Sequence, residues 1–152
     1  VAWNSTGSNS EMKEVATALS NDITNWDSSL NARLITANEI AKITGNTTFD
    51  TNKKGQSLFC LDTNRTDTTT WCSKTQGASK YAWLFDYTNG CTSYGCDKEE
   101  SSTLGYWTSS VRIDYSSYAW FVYRNGGLND NPVSNLYSGV RPVITISKSI
   151  MK

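Results

Sequence analysis

Histidine is absent from all 152 residues, and that absence narrows the chemistry more than any motif present. Without imidazole there is no Ser-His-Asp or Cys-His nucleophile system, and the commonest general base is missing. An excess of charge is lacking too: 14 basic residues balance 14 acidic ones, and no run of Lys or Arg exceeds two. This excludes the electrostatic footprint of a protein that binds nucleic acid or an anionic membrane. Nor does any segment approach the roughly 20 apolar residues of a membrane span. Val1 does not open the charged, apolar, small-residue pattern of a signal peptide. We therefore expect a soluble chain with no direct membrane insertion. A start at Val rather than Met suggests a processed protein or a fragment of something longer, from which an amino-terminal anchor could have been lost.

What is present is aromatic and neutral-polar. Six Trp, eight Tyr and four Phe are many for this length, and charged residues are only 18%. Asn, Ser and Thr fill the difference, a composition suited to stacking and hydrogen bonding. The length fits one domain over residues 1–152, able to bury roughly two-thirds of the surface its unfolded form exposes.

Cysteines 60, 72, 91 and 96 fall into two local pairs, Cys60 with Cys72 and Cys91 with Cys96. Two disulfides are the favoured reading, which places the chain outside the cytoplasm, at the cell surface or beyond it. Free thiols and a zinc site are the other readings. Zinc usually takes tighter C-x2-4-C knuckles on both sides, which the C-x11-C spacing of Cys60 and Cys72 does not supply, and His, its other common ligand, is absent. Paired carboxylates at Glu99-Glu100, or Asp86 with Asp97, lie in polar or Cys-bounded stretches and read as solvated loop charges.

Along the chain, helices come first. From Ser10, taken as N-cap, the apolar residues Met12, Val15, Ala16, Leu19 and Ile23 recur at helical spacing. Thr36-Ala-Asn-Glu39 is a capping box opening a short second helix, closed by Gly45. Residues 46–80 are polar and loop-like, anchored by Phe49, Leu58, Phe59, Leu61 and Trp71, and so long a loop needs a staple such as a disulfide. Tyr81 to Tyr87, Gly105 to Ser110, Tyr118 to Tyr123 and Val140 to Ile146 read as strands of an antiparallel sheet. The fold class is α+β: two amino-terminal helices, long loops and a small sheet. There is no internal repeat and no domain linker.

Three segments in sequence carry a resemblance. Arg33-Leu-Ile-Thr-Ala-Asn-Glu39 resembles the RLPTxxE segment of C-type lectin-like folds of the sulfatase-modifying branch, which includes the formylglycine-generating enzymes. Gly105-Tyr-Trp-Thr-Ser-Ser110 resembles that branch's GYWSS-type strand, and Gly139-Val-Arg-Pro-Val143 its closing strand. The back half, with Cys91-Thr-Ser-Tyr-Gly-Cys96, is similar to lectin-like domains of gut Firmicutes carried behind pilin-like helices, and to variable proteins of diversity-generating retroelements. The resemblance implies a C-type lectin-like fold. In the retroelement proteins it also implies a hypervariable ligand-binding patch near the carboxy terminus.

What is missing trims the implied activities. The formylglycine-generating enzymes use a cysteine pair in their carboxy-terminal part, and no cysteine here follows Cys96. Calcium-dependent lectins carry EPN or QPD and WND tripeptides, and neither occurs. Asn129-Asp-Asn131 offers oxygen atoms that suit calcium, but followed by Pro132 it reads as a turn. No metal or cofactor is expected.

A binding module remains, rather than an enzyme. If Trp120 and Val122 face the core with Leu128, Val133, Val140 and Pro142, an exposed patch is left on Phe121, Tyr123, Arg124, Asn125, Asn129, Asp130, Asn131, Ser134, Asn135 and Tyr137. Tyr115 and Tyr118 would lie at its edge. Tyr gives contact area at low rotamer cost while Ser and Asn adapt their hydrogen bonds, as in antibody paratopes. Adenine-directed mutagenesis of Asn codons would yield a similar set. The alternative is that these are ordinary turn and edge residues. Arg141, in an apolar strand, reads as structural, and the sequons at Asn4, Asn46 and Asn64 read as chance.

The expected function is extracellular binding, as adhesin or receptor, of a protein or glycan on another cell, host or phage surface. The alternatives are a structural pilin-like domain that self-associates in a pilus, and a degenerate formylglycine-generating-enzyme relative.

Overall fold

The computed structural model describes residues 1–26, 31–61, 72, 80–85, 104–123 and 126–145. Helix α1 spans Glu14–Trp26 and α2 Ala37–Thr44. The strands are β1 (Ala32–Leu34), β2 (Phe59–Cys60), β3 (Gly105–Val111), β4 (Tyr118–Tyr123), β5 (Gly127–Pro132), β6 (Ser138–Gly139) and β7 (Pro142–Ile144). The class is α+β. Strands β1 and β7 form an antiparallel pair, and the second sheet runs β2-β5-β4-β3-β6 with only β6 parallel to its neighbour.

Helix α2 forms where the sequence places it. The Thr36 side chain accepts from the Glu39 N–H while the Glu39 carboxylate accepts from the Thr36 N–H, so two donors that the helix leaves free are satisfied. Gly45 ends it in the left-handed region at φ 78°, which costs a glycine least. Helix α1 starts later than expected, at Glu14. Ser10 is not its cap: the Ser10 hydroxyl bonds Ser8, and the Lys13 N–H bonds the Trp3 carbonyl. Residues 1–13 run instead as a strap along the sheet, fixed by the Asn4 N–H on the Val133 carbonyl and the Trp3 indole on the Thr108 carbonyl.

The core lies on both faces of the central strands. Trp120, Val122 and Leu128 pack with Ile35, Ile40, Leu61, Leu84 and Tyr106 on one face. Trp107, Ala119, Phe121 and Val133 pack with Trp3, Val15, Leu19 and Leu34 on the other. Trp120 and Val122 thus belong to the scaffold as expected, but Phe121 does too, at 2% exposure. The expectation that one face of β4 is open fails because a central strand is covered from both sides.

Each residue of the Gly105–Ser110 segment has a visible task. A Cβ on Gly105 would meet the Val122 carbonyl oxygen at 1.8 Å, so only glycine lets β3 and β4 approach. The Tyr106 hydroxyl donates to the Leu84 carbonyl and the Trp107 indole to the Val1 carbonyl. The ladder breaks between Trp107 and Val111, where the Ser109 N–H turns to the Ile35 carbonyl and the Ser110 hydroxyl accepts from the Ala37 N–H. That irregularity ties the entrance of α2 to the sheet.

Besides the start of α1, and the strand expected over Val140 to Ile146, of which only Pro142–Ile144 is strand among the described residues, two segments depart from the sequence reading. Tyr81 to Phe85 is not a strand: Ala82–Leu84 is a turn of 3₁₀ helix, with Leu84 N–H on the Tyr81 carbonyl. Residues 86–87 of that expected strand lie outside the described residues. Arg141 donates to the Trp83 and Leu84 carbonyls, which anchors the turn and matches the structural role expected of it. The second departure is Asn129-Asp-Asn131, which lies in β5, paired along β4 from Tyr118↔Pro132 to Tyr123↔Gly127. Cys60 is bonded to Cys72, whereas Cys91 and Cys96 lie outside the described residues.

Candidate functional site

The β3–β4 hairpin ends in the loop 112–117, and this loop is fixed from several directions. Its centre is Arg112, whose side chain keeps only 10% of its exposure. The guanidinium makes a two-pronged contact with Asp114 (Nε to Oδ1 and Nη2 to Oδ2, both 3.0 Å) and a third bond from Nη1 to Asp130 at 2.7 Å. Its Cζ atom lies 5.0 Å from the centroid of the buried Trp120 ring and 4.8 Å from that of the Tyr115 ring. The result is a stack from the core outward, Trp120, Arg112, Tyr115. Its middle layer is charged and satisfied by two carboxylates.

Neighbouring segments brace the same loop. The Asn9 amide nitrogen reaches the carbonyls of Arg112, Tyr115 and Tyr118 at 2.7–2.9 Å. The Gly55 N–H donates to Asp114 Oδ2 at 3.0 Å, which brings in the 50–57 loop. The Asp114 carboxyl is consequently held well below its ordinary range, first by Arg112 and next by the Gly55 N–H. The Arg112 guanidinium is driven further toward its charged form, first by Asp114 and next by Asp130. Tyr115 is nonetheless 55% exposed, with the Tyr118 ring 5.8 Å away and Ile113 also exposed. An exposed aromatic normally moves freely; this one is held by a buried charge.

The register sorts the sequence-derived site residues onto two sides. Directly paired residues share a face, so Tyr118 and Asp130 lie with Trp120, whereas Asn129 and Asn131 lie with Phe121 and Ala119. Tyr123 is half-buried against the Phe121 ring at 5.7 Å. Phe121 itself is core and carries no surface. Asp130 is taken by Arg112 and does not stand free for a ligand. Asn131 is half-buried, accepts from Asn135, and leaves its own Nδ2 buried without a partner among the described residues. Arg124 and Asn125 lie outside the described residues.

From the end of β5 the chain crosses to β6 on the far side of the sheet. Val133 is its buried anchor, and Ser134, Leu136 and Tyr137 are exposed, Leu136 at 70% and Tyr137 at 59%. The Asn135 side chain accepts from the Tyr137 N–H and fixes this crossing. The structure thus keeps Tyr115 and Tyr118 together on one side and Asn129, Asn131 and Tyr123 on the other, rather than in one patch.

Arg112, Asp114 and Asn9 were not among the expected site residues. The signal for the first two is the basic and acidic pair Arg112 and Asp114, two residues apart and next to Tyr115. Asn9, more than 100 residues away in sequence from its partners, left no such trace. Among the described residues no three Asp, Glu or Cys side chains gather as a metal site, and no helix is long and apolar enough to cross a membrane. A groove of about 330 Å³ runs beside α1, lined by Leu19, Ile23 and Ala32 among others.

The chain belongs to the family described as a domain of unknown function, DUF6273, whose model matches residues 14–148. No curated protein and no solved structure matches it.

Proposed function

We propose that this chain is an extracellular ligand-binding module with a C-type lectin-like scaffold, which presents the 112–118 hairpin loop and the 133–137 crossing to a protein or glycan on another cell, host or phage surface. The observation that carries the proposal is Tyr115: more than half exposed, yet stacked on Arg112, which Asp114, Asp130 and Trp120 hold in turn. A contact residue fixed before binding loses little conformational entropy on binding, which is where affinity is gained. The module is read as a binder rather than an enzyme.

The architecture is consistent with the scaffold. Two amino-terminal helices and a small, mostly antiparallel sheet are the elements that the resemblance to a C-type lectin-like fold leads one to expect. The Cys60–Cys72 bond fits a surface or secreted location. Diversification by a retroelement fits the separation between a pinned framework and exposed Tyr115, Ser134 and Tyr137. A structural, pilin-like role has one observation in its favour, the exposed Leu136–Tyr137 pair, which would suit packing against a neighbouring subunit.

The test is binding to a glycan array and to a panel of displayed bacterial and host surface proteins. The parent chain is compared with Tyr115→Ala and Tyr137→Ala. Recognition is expected for a small set of probes and is weakened at least about tenfold by Tyr115→Ala, the size of a modest aromatic hot spot. Equal binding by parent and Tyr115→Ala would remove the proposal. Concentration-dependent self-association abolished by Tyr137→Ala, with no probe bound, would favour the pilin-like role.

A further inference from the structure

We infer that Asn129 and Pro132 close the outer edge of β5 to strand addition, so that a second copy of this chain cannot pair with it there. The parity of β5 is fixed at both ends. The Leu61 N–H donates outward-in to the Gly126 carbonyl, and the Val133 N–H donates to the Ser117 carbonyl on the β4 side. Main-chain groups of Leu128, Asp130 and Pro132 therefore point away from β4, as does the Gly126 carbonyl while its N–H turns back to the Tyr123 carbonyl, and those of Asn129, Asn131 and Val133 point toward β4. Strand β2 covers only Gly127 and Leu128.

Beyond Leu128 the outward positions are Asp130 and Pro132, and neither offers a donor. The Asp130 N–H is occupied by Asn129 Oδ1 at 2.8 Å. Pro132 has no N–H at all. An incoming strand needs alternating donors and acceptors, and here it meets no donor, while the Pro132 carbonyl already accepts from the Asn135 N–H. The Asp130 carboxylate, held by Arg112 on one face, adds a fixed charge beside the same edge. Asn129, counted among the ligand contacts on sequence grounds, is thereby assigned a different task. Binding through the side chains of the Tyr115 hairpin stays available while pairing through the backbone edge does not. The two ideas are independent, since one concerns the loop 112–118 and the other the backbone of β5.

The experiment compares the full chain with Asn129→Val, Pro132→Thr and the double variant, by sedimentation velocity over a dilution series. Native folding is checked by tryptophan fluorescence and far-ultraviolet circular dichroism. The double variant is expected to associate at concentrations where the parent does not, and the single variants to associate less than the double. A natively folded double variant that stays as monomeric as the parent would overturn the inference. Hydrogen exchange covers the case in which the double variant fails to fold: Asn129→Val alone is expected to speed exchange of the Asp130 amide at least about tenfold, the kinetic counterpart of losing one hydrogen bond. An unchanged Asp130 exchange rate would overturn the inference equally.

Discussion

Replacing Arg112 with Leu removes the middle of the Trp120–Arg112–Tyr115 stack and leaves Asp114 and Asp130 facing each other without a cation. Breaking a fully buried ion pair from one side costs about 3–5 kcal/mol, and breaking an exposed one about 0–1 kcal/mol. The carboxylates keep 21% and 17% of their exposure, so water screens part of the loss. A destabilisation of about 2 kcal/mol follows, between those two limits. In a chain of this length that lowers Tm by about 4–8 °C. Thermal and urea unfolding at neutral pH measure it. The pH dependence gives a second check. The Asp114 pKa is depressed in the folded state, so its contribution is complete above the unfolded value near 3.9 and is lost as pH falls toward the folded one. The gap between parent and Arg112→Leu should therefore narrow in acid. An unchanged Tm at pH 7, or a gap that widens as pH falls below about 4, would refute the reasoning.

Three further perturbations probe the scaffold. Gly105→Ala forces a Cβ onto the Val122 carbonyl at 1.8 Å, backbone against backbone, and should cost more than about 4 kcal/mol, read as loss of the folding transition or of soluble expression. Glu39→Ala removes both the capping box of α2 and the partner of Arg33, for about 1 kcal/mol in chemical denaturation at pH 7. Arg33, first among the causes, holds the Glu39 carboxyl at about 2, so the parent's advantage is present above about 4.5 and vanishes as pH drops toward about 2. Reducing Cys60–Cys72, or changing both to Ser, should lower stability by about 3 kcal/mol in the chain-entropy account, seen as a shifted urea midpoint.

Legibility in the sequence followed how local each cause is. Helix α2 was readable because Thr36, Glu39 and Gly45 settle its ends within ten residues. Strands β3 and β4 were readable from their aromatic and β-branched content. Strand β5 was not, because Gly-Leu-Asn-Asp-Asn-Pro has no strand-forming residue beyond Leu128 and is extended by its pairing with β4. The 81–85 segment misled because Ala82 and Leu84 buried with Trp83 exposed fits a strand and a tight turn alike. The start of α1 misled because the strap of residues 1–13 takes its hydrogen bonds from distant carbonyls. At the site, Tyr115 and Tyr137 could be named as exposed. The assignment of Phe121 failed, since Tyr-Ala-Trp-Phe-Val-Tyr is apolar on both alternating faces and such a run belongs between two cores.

The most direct test of the division between pinned framework and displayed surface is to sequence this locus from several isolates, together with any near-identical template repeat beside it. The account predicts changes concentrated at Tyr115, Ser134 and Tyr137, with Gly105, Arg112, Asp114, Trp120 and Asp130 unchanged. Substitution of Arg112, Asp114 and Trp120 as freely as of Tyr115 and Tyr137 would contradict it.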